Sequence, residues 1–148
     1  MIRSILYTTL IAGTMDITAA CLQAYVKSGV TPDRILIYIA SGVFGKSAAT
    51  GGLSMQILGL LFHFIIAFAC VACYFWIYPK WSFLHKNIWL NSALIAVTAW
   101  FVTTQIILPL SQIPPRPFNL VNVLQAIAIL YVCIGLPIAY FARQYFTK

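Results

Sequence analysis

Acidic residues are almost absent from this 148-residue sequence, which holds two, Asp16 and Asp33, against nine lysines and arginines. Charge of either sign is scarce, at 7%, whereas 62% of residues are hydrophobic. Soluble domains run at roughly 25% charged and 45–50% apolar, so this composition belongs to a membrane domain. Several chemistries are missing with the charge. There is no GxxxxGK phosphate loop, no zinc-ligand spacing and no Ser/His/Asp arrangement. Histidine occurs only at 63 and 85, and only His63 lies inside an apolar run, which leaves a bis-histidine haem without its second ligand. No basic cluster of the kind nucleic acid requires is present, so the formal charge of +7 fits loops beside anionic lipid. No repeat or low-complexity tract breaks the chain. No cofactor, metal or nucleic-acid partner is expected, and an enzyme is the less favoured class.

What the sequence has in quantity is long apolar runs. Residues 5–26, 53–78, 88–110 and 119–142 are each long enough for the ~20 residues a membrane span needs. The segment 32–49 is different. Thr31-Pro32-Asp33 has the composition of a helix start, with Thr as cap, Pro in the first turn and Asp at the positive end. Its strongly apolar part is too short to span, and Gly42, Gly45 and Lys46 interrupt it. The sequence therefore predicts an all-α polytopic membrane protein, a single domain over 1–148. Four transmembrane helices form its bundle, with one short interfacial or re-entrant helix that packs through Ser41, Gly45 and Ala49. Residues 1–26 resemble a signal peptide only superficially. Asp16 interrupts the apolar region and Thr18 stands where a lipobox carries Leu, so an uncleaved first span is expected. Three prolines stiffen the turn 111–118, and Pro137 is placed to kink the last span.

Four spans put Arg3, Lys80, Lys86, Arg143 and Lys148 on one side and Lys27, Arg34, Lys46 and Arg116 on the other. The first side also carries Trp76, Tyr78, Trp81, Trp89, Tyr140 and Tyr145, which read as an interfacial aromatic belt. A fifth span over 35–49 would move the N-terminus across the membrane. Either count leaves the 79–87 loop and the C-terminus inside, the cytoplasmic side.

The informative residue is Asp16. A carboxylate at mid-membrane costs roughly 2.5–3.5 kcal/mol on insertion scales. At helical spacing it belongs to a stripe with Thr9, Gly13, Ala20 and Gln23, and such a stripe should face protein. The second span carries a matching stripe of Gln56, Gly59, His63, Ala67, Cys70 and Tyr74. The third places Asn91, Thr98 and Gln105 on one face, and the fourth Asn122, Gln125 and Cys133. Asp16 and His63 share mid-membrane depth. Gln23, Gln56, Gln105, Asn122 and Gln125 fall toward one end. These polar groups are expected to converge on an intramembrane pocket, with Asp16 and His63 as its proton-handling core and Lys27, Arg34, Lys46 and Arg116 at its rim. That rim suits an anionic or hydrogen-bonding small molecule. For a single amide the plainer reading is interhelical bonding, at ~0.6 kcal/mol each. Cys70-Val-Ala-Cys73 is a CxxC within a membrane helix, away from the electropositive helix start that lowers a thiol pKa, and reads as small apolar filling.

Gly59, His63, Phe68-Ala69, Tyr74, Leu108-Pro109-Leu110 and Pro114-Pro115 together resemble the YagU-type small inner-membrane proteins of bacteria. That resemblance implies a bacterial inner membrane. A carboxylate in the first of four short helices is also similar to the small multidrug transporters. The expected function is small-molecule binding or proton-coupled transport, by an oligomer because one short chain builds no pathway alone. Two other classes stay open: a membrane oxidoreductase using the CxxC with a quinone, and an accessory subunit of a membrane complex.

Overall fold

The computed structural model describes residues 1–114 and 117–147. Every regular element among them is helical, and four helices are long and apolar enough to cross a membrane. Helix α1 runs Ile2–Ser28 and α2 Pro32–Phe44, followed by a 3-10 segment Gly45–Thr50. Helix α3 covers Gly52–Ile77, α4 Ile88–Leu110 and α5 Leu120–Phe146. The second element is thus a short helix, as the broken apolar segment predicted, and its last part, Gly45–Thr50, winds as a 3-10 helix.

The helix starts differ in how they are capped. Asn87 accepts from the Trp89 and Leu90 N–H groups, and Asn119 from that of Asn122. These bonds satisfy donors that a helix start otherwise leaves orphaned. Thr31, the expected cap of α2, makes no such side-chain bond; its backbone carbonyl instead accepts from Arg34 and Ile35. The far end of α2 is capped from another part of the chain. Gln112, just beyond α4, donates its backbone N–H to the Gly42 carbonyl at 3.0 Å and its side-chain amide to the Val43 carbonyl at 2.5 Å.

Both proline-bearing spans carry the same irregularity. A five-residue π-turn, Thr103–Ile107, precedes Leu108-Pro109, and another, Tyr131–Gly135, precedes Leu136-Pro137. Proline has no N–H for the carbonyl four residues back, and its ring crowds that carbonyl. Widening the preceding turn relieves the crowding and turns the later residues to a different azimuth.

Packing is uneven along the bundle. At one end the core joins Ile5 and Ala12 of α1 to Val71 and Phe75 of α3. Ile95 of α4 and Ile134, Ile138 and Ala142 of α5 complete it. Tyr78, expected in the exposed belt, is 1% exposed. Its ring stacks on Phe146 at 5.4 Å, and its carbonyl accepts from His85 Nε2 at 3.0 Å. Trp76, Trp81, Trp89 and Tyr140 do remain exposed at this end. Close helix crossings come from glycines other than the expected Gly45. A Cβ on Gly59 would strike the Leu36 carbonyl of α2, and one on Gly135 the Ser92 carbonyl of α4. Gly45 faces the Gln112 side chain, Ala49 is exposed, and the fully buried small residues of this segment are Ala40 and Ala48.

Candidate functional site

Towards the other end the helices part around a cavity of about 640 Å³. All five contribute to its wall. Helix α1 supplies Asp16, Ala20 and Gln23, α3 supplies Phe62, His63, Ile66 and Cys70, and α2 supplies Tyr38, Ile39 and Val43. Trp100, Thr103, Thr104 and Ile107 come from α4, and Ala126, Ile129 and Ile134 from α5. The lining is mainly apolar, with Asp16 its single carboxylate among the described residues.

The α1 stripe explains how Asp16 comes to lie there. Thr9 and Gly13 are buried, and Asp16, Ala20 and Gln23 are half-buried along the same face. Thr9 turns its hydroxyl onto the Ile5 carbonyl at 2.8 Å and so needs no further partner. The α3 stripe meets it. His63 Nε2 lies 2.9 Å from the Gly13 carbonyl, three residues before Asp16. A carbonyl can only accept, so Nε2 carries the proton in this bond and Nδ1 is the ring position left for a ligand, water or proton. No side chain among the described residues donates a hydrogen bond to Asp16. Asp16 and His63 are therefore on one wall, joined through the α1 backbone rather than by a direct bond.

The other expected site residues separate into two groups. Gln23 lines the cavity. Gln56, Gln105, Asn122 and Gln125 do not, and for the last three the cause is physical. Gln105 sits inside the π-turn, is exposed, and among the described residues reaches only the Thr104 hydroxyl at 3.4 Å. Its expected face-mates divide as well, with Asn91 buried and Thr98 exposed. Asn122 and Gln125 turn toward Lys27, whose ammonium donates to Asn122 Oδ1 and to Gln125 Oε1, the latter at 3.3 Å. Gln56 is half-buried in the first turns of α3. Of the expected rim, Lys27 is thus held by amides, and Arg34 and Lys46 are exposed away from the wall. Arg116 lies outside the described residues.

Tyr38, Trp100, Thr103 and Thr104 were not singled out from the sequence. The signal for the last two was present in Pro109, which forces a disturbed turn just where Thr103 and Thr104 stand. Cys70 lines the cavity while Cys73 is exposed. The two thiols of the CxxC thus meet different surroundings, and both are free. Among the described residues no group of three or more His, Cys, Asp or Glu side chains is arranged to hold a metal. Set against protein-family models, curated proteins and solved structures, the chain matches none.

Proposed function

We propose that the protein is a membrane-embedded binding module whose central cavity takes an amphipathic small molecule and responds to the protonation of Asp16 and His63. The observation that carries this reading is the presence of both side chains, from different helices, on the wall of one mainly apolar cavity. Apolar walls accept a hydrocarbon body and a few polar groups orient it. Ionisable groups inside a membrane are costly and are retained where they handle ions, protons or ligands. An ionised Asp16 accepts hydrogen bonds or balances a cation, and a protonated one also donates. Neutral His63 offers Nδ1 as an acceptor, whereas the imidazolium donates from both nitrogens. A proton gained or lost at either group therefore changes which head group the cavity prefers. With Lys27 engaged by Asn122 and Gln125, a hydrogen-bonding ligand is favoured over a full anion.

In this reading the module works as an oligomer in a bacterial inner membrane, with its C-terminus in the cytoplasm. A C-terminal reporter active only after export would stay silent. The binding claim is tested with a diazirine-bearing alkyl amide, photolabelled into the protein in nanodiscs and mapped by peptide sequencing. Labelling is expected on Ile66 and Trp100, to an extent that changes with pH. Asp16→Asn keeps the side-chain shape and removes the charge, and should flatten that profile without altering helix content. An unchanged pH profile in Asp16→Asn, or labelling confined to lipid-facing residues, overturns the proposal.

A further inference from the structure

A second cleft, independent of the central cavity, lies at the tightly packed end between the start of α1 and the end of α5. We propose that it binds the phosphodiester group of an anionic glycerophospholipid. The cleft holds about 280 Å³ and is lined by Arg3, Ser4, Tyr7, Phe141, Gln144 and Tyr145, among others. No carboxylate among the described residues lines it. One guanidinium, a carboxamide and the four hydroxyls of Ser4, Tyr7, Thr8 and Tyr145 therefore share a small volume, the Thr8 hydroxyl donating to the Ser4 carbonyl at 2.7 Å. Arginine offers donors in a fixed fork that matches phosphate oxygens, and hydroxyl and amide donors complete such a site.

Arg3 is available for this role. It makes no hydrogen bond or ion pair with any described residue. Lys80, at the same end, is placed over the Trp76 ring, 3.1 Å from its centroid. The wall of the cleft also has an apolar side. Tyr7 meets Phe141 edge-on, with centroids 5.5 Å apart and planes at 84°. Tyr7 is 57% exposed, so this aromatic pair continues the cleft onto the outer surface of the bundle, where an acyl chain runs. Exposed Trp76, Trp81 and Trp89 mark the same end as lying at headgroup depth. A free phosphate ion, strongly hydrated and doubly charged, would find one cation there and gain nothing from the aromatic wall. A lipid phosphodiester carries one charge and brings the chains that the wall accepts.

The test is native mass spectrometry of the purified full chain with phosphatidylglycerol, phosphatidylcholine or inorganic phosphate. The wild-type protein is expected to retain phosphatidylglycerol over phosphatidylcholine, and Arg3→Gln to lower the retained fraction about five- to tenfold. Lys86→Gln removes a cation outside the cleft and should leave retention near the wild-type level. Millimolar inorganic phosphate should not displace the lipid. Equal retention by Arg3→Gln, an equal loss in Lys86→Gln, or no preference between the two lipids overturns the proposal. Displacement by phosphate would assign the cleft to the free ion and overturns it as well. Should Arg3→Gln lose helix content, Gln144→Leu replaces it. That variant must also lower retention, and wild-type retention in it counts against the site.

Discussion

His63 and Gly13 are joined across the α1–α3 interface by a 2.9 Å hydrogen bond that commits Nε2 to the α1 backbone. The bond sets the ring's azimuth and tautomer one helical turn from Asp16. It also couples the two polar stripes mechanically, because Gly13 has no side chain to hold Phe64 away. A Cβ there would lie 2.7 and 2.9 Å from two ring carbons of Phe64.

The tautomer gives the first prediction. With selectively 15N-labelled histidine, neutral His63 should show a protonated Nε2 and a bare Nδ1. The reverse assignment would mean that the bond to Gly13 is not formed. His63→Ala should cost about 0.5–1.5 kcal/mol of stability, the usual net worth of one such bond. Thermal unfolding in detergent measures it.

The glycine contacts rank themselves. A methyl on Gly59 or Gly135 meets backbone carbonyl, Leu36 in one case and Ser92 in the other, whereas on Gly13 it meets a phenyl ring that can turn aside. Backbone yields only if whole helices separate. Gly59→Ala and Gly135→Ala should therefore destabilise by about 1–3 kcal/mol, the range for overpacking. Gly13→Ala should cost less, because the Phe64 ring can turn aside, so that the helix-propensity gain of Ala, up to about 1 kcal/mol, offsets more of the strain. A larger loss for Gly13→Ala than for Gly59→Ala would contradict the crossing geometry.

Which parts of this were legible in the sequence follows from what periodicity encodes. The α1 and α3 stripes read true because both helices are regular through the stripe, so spacing alone fixes the shared face of Thr9, Gly13 and Asp16 and that of Gly59, His63 and Ala67. Depth along a span, by contrast, says nothing of azimuth. Asn122 and Gln125 face Lys27 instead of the cavity. The π-turn before Pro109 rotates the end of α4, so that Thr103 and Thr104 line the wall and Gln105 leaves it. The fold of α2 against α3 depends on Gly59 meeting Leu36, a tertiary contact with no local signature. Tyr38 could not be placed for the same reason.

Gln112 closes α2 from a distance. Its two bonds, to the carbonyls of Gly42 and Val43, satisfy acceptors that a helix end leaves open. Ser111 and Ile113 beside it belong to the cavity wall. Gln112→Ala removes the side-chain bond and keeps the backbone one, and should cost about 1 kcal/mol. Because the clasp holds the end of α4 onto α2, a cysteine at Ser111 should react faster with a polar maleimide when Gln112 is Ala. Unchanged reactivity would show that the clasp does not restrain this wall.

The native thiols offer a readout of the cavity that needs no engineered residue. Cys70 lies on its wall, Cys73 is exposed on the outer surface of α3, and Cys133 is 8% exposed in the α5 π-turn. A small membrane-permeant maleimide should therefore modify Cys133 slowest. A ligand seated in the cavity should protect Cys70 and leave the rate at Cys73 unchanged, because only Cys70 shares its wall. Replacing Cys70 and Cys73 together by Ala removes two small, half-buried or exposed groups and should change stability by no more than about 1 kcal/mol. It should also leave pH-dependent binding in place, since Asp16 and His63 are untouched. Equal protection of both thiols would place the ligand outside the cavity. Loss of binding in the double variant, with the fold intact, would move the chemistry from the Asp16–His63 wall to the CxxC.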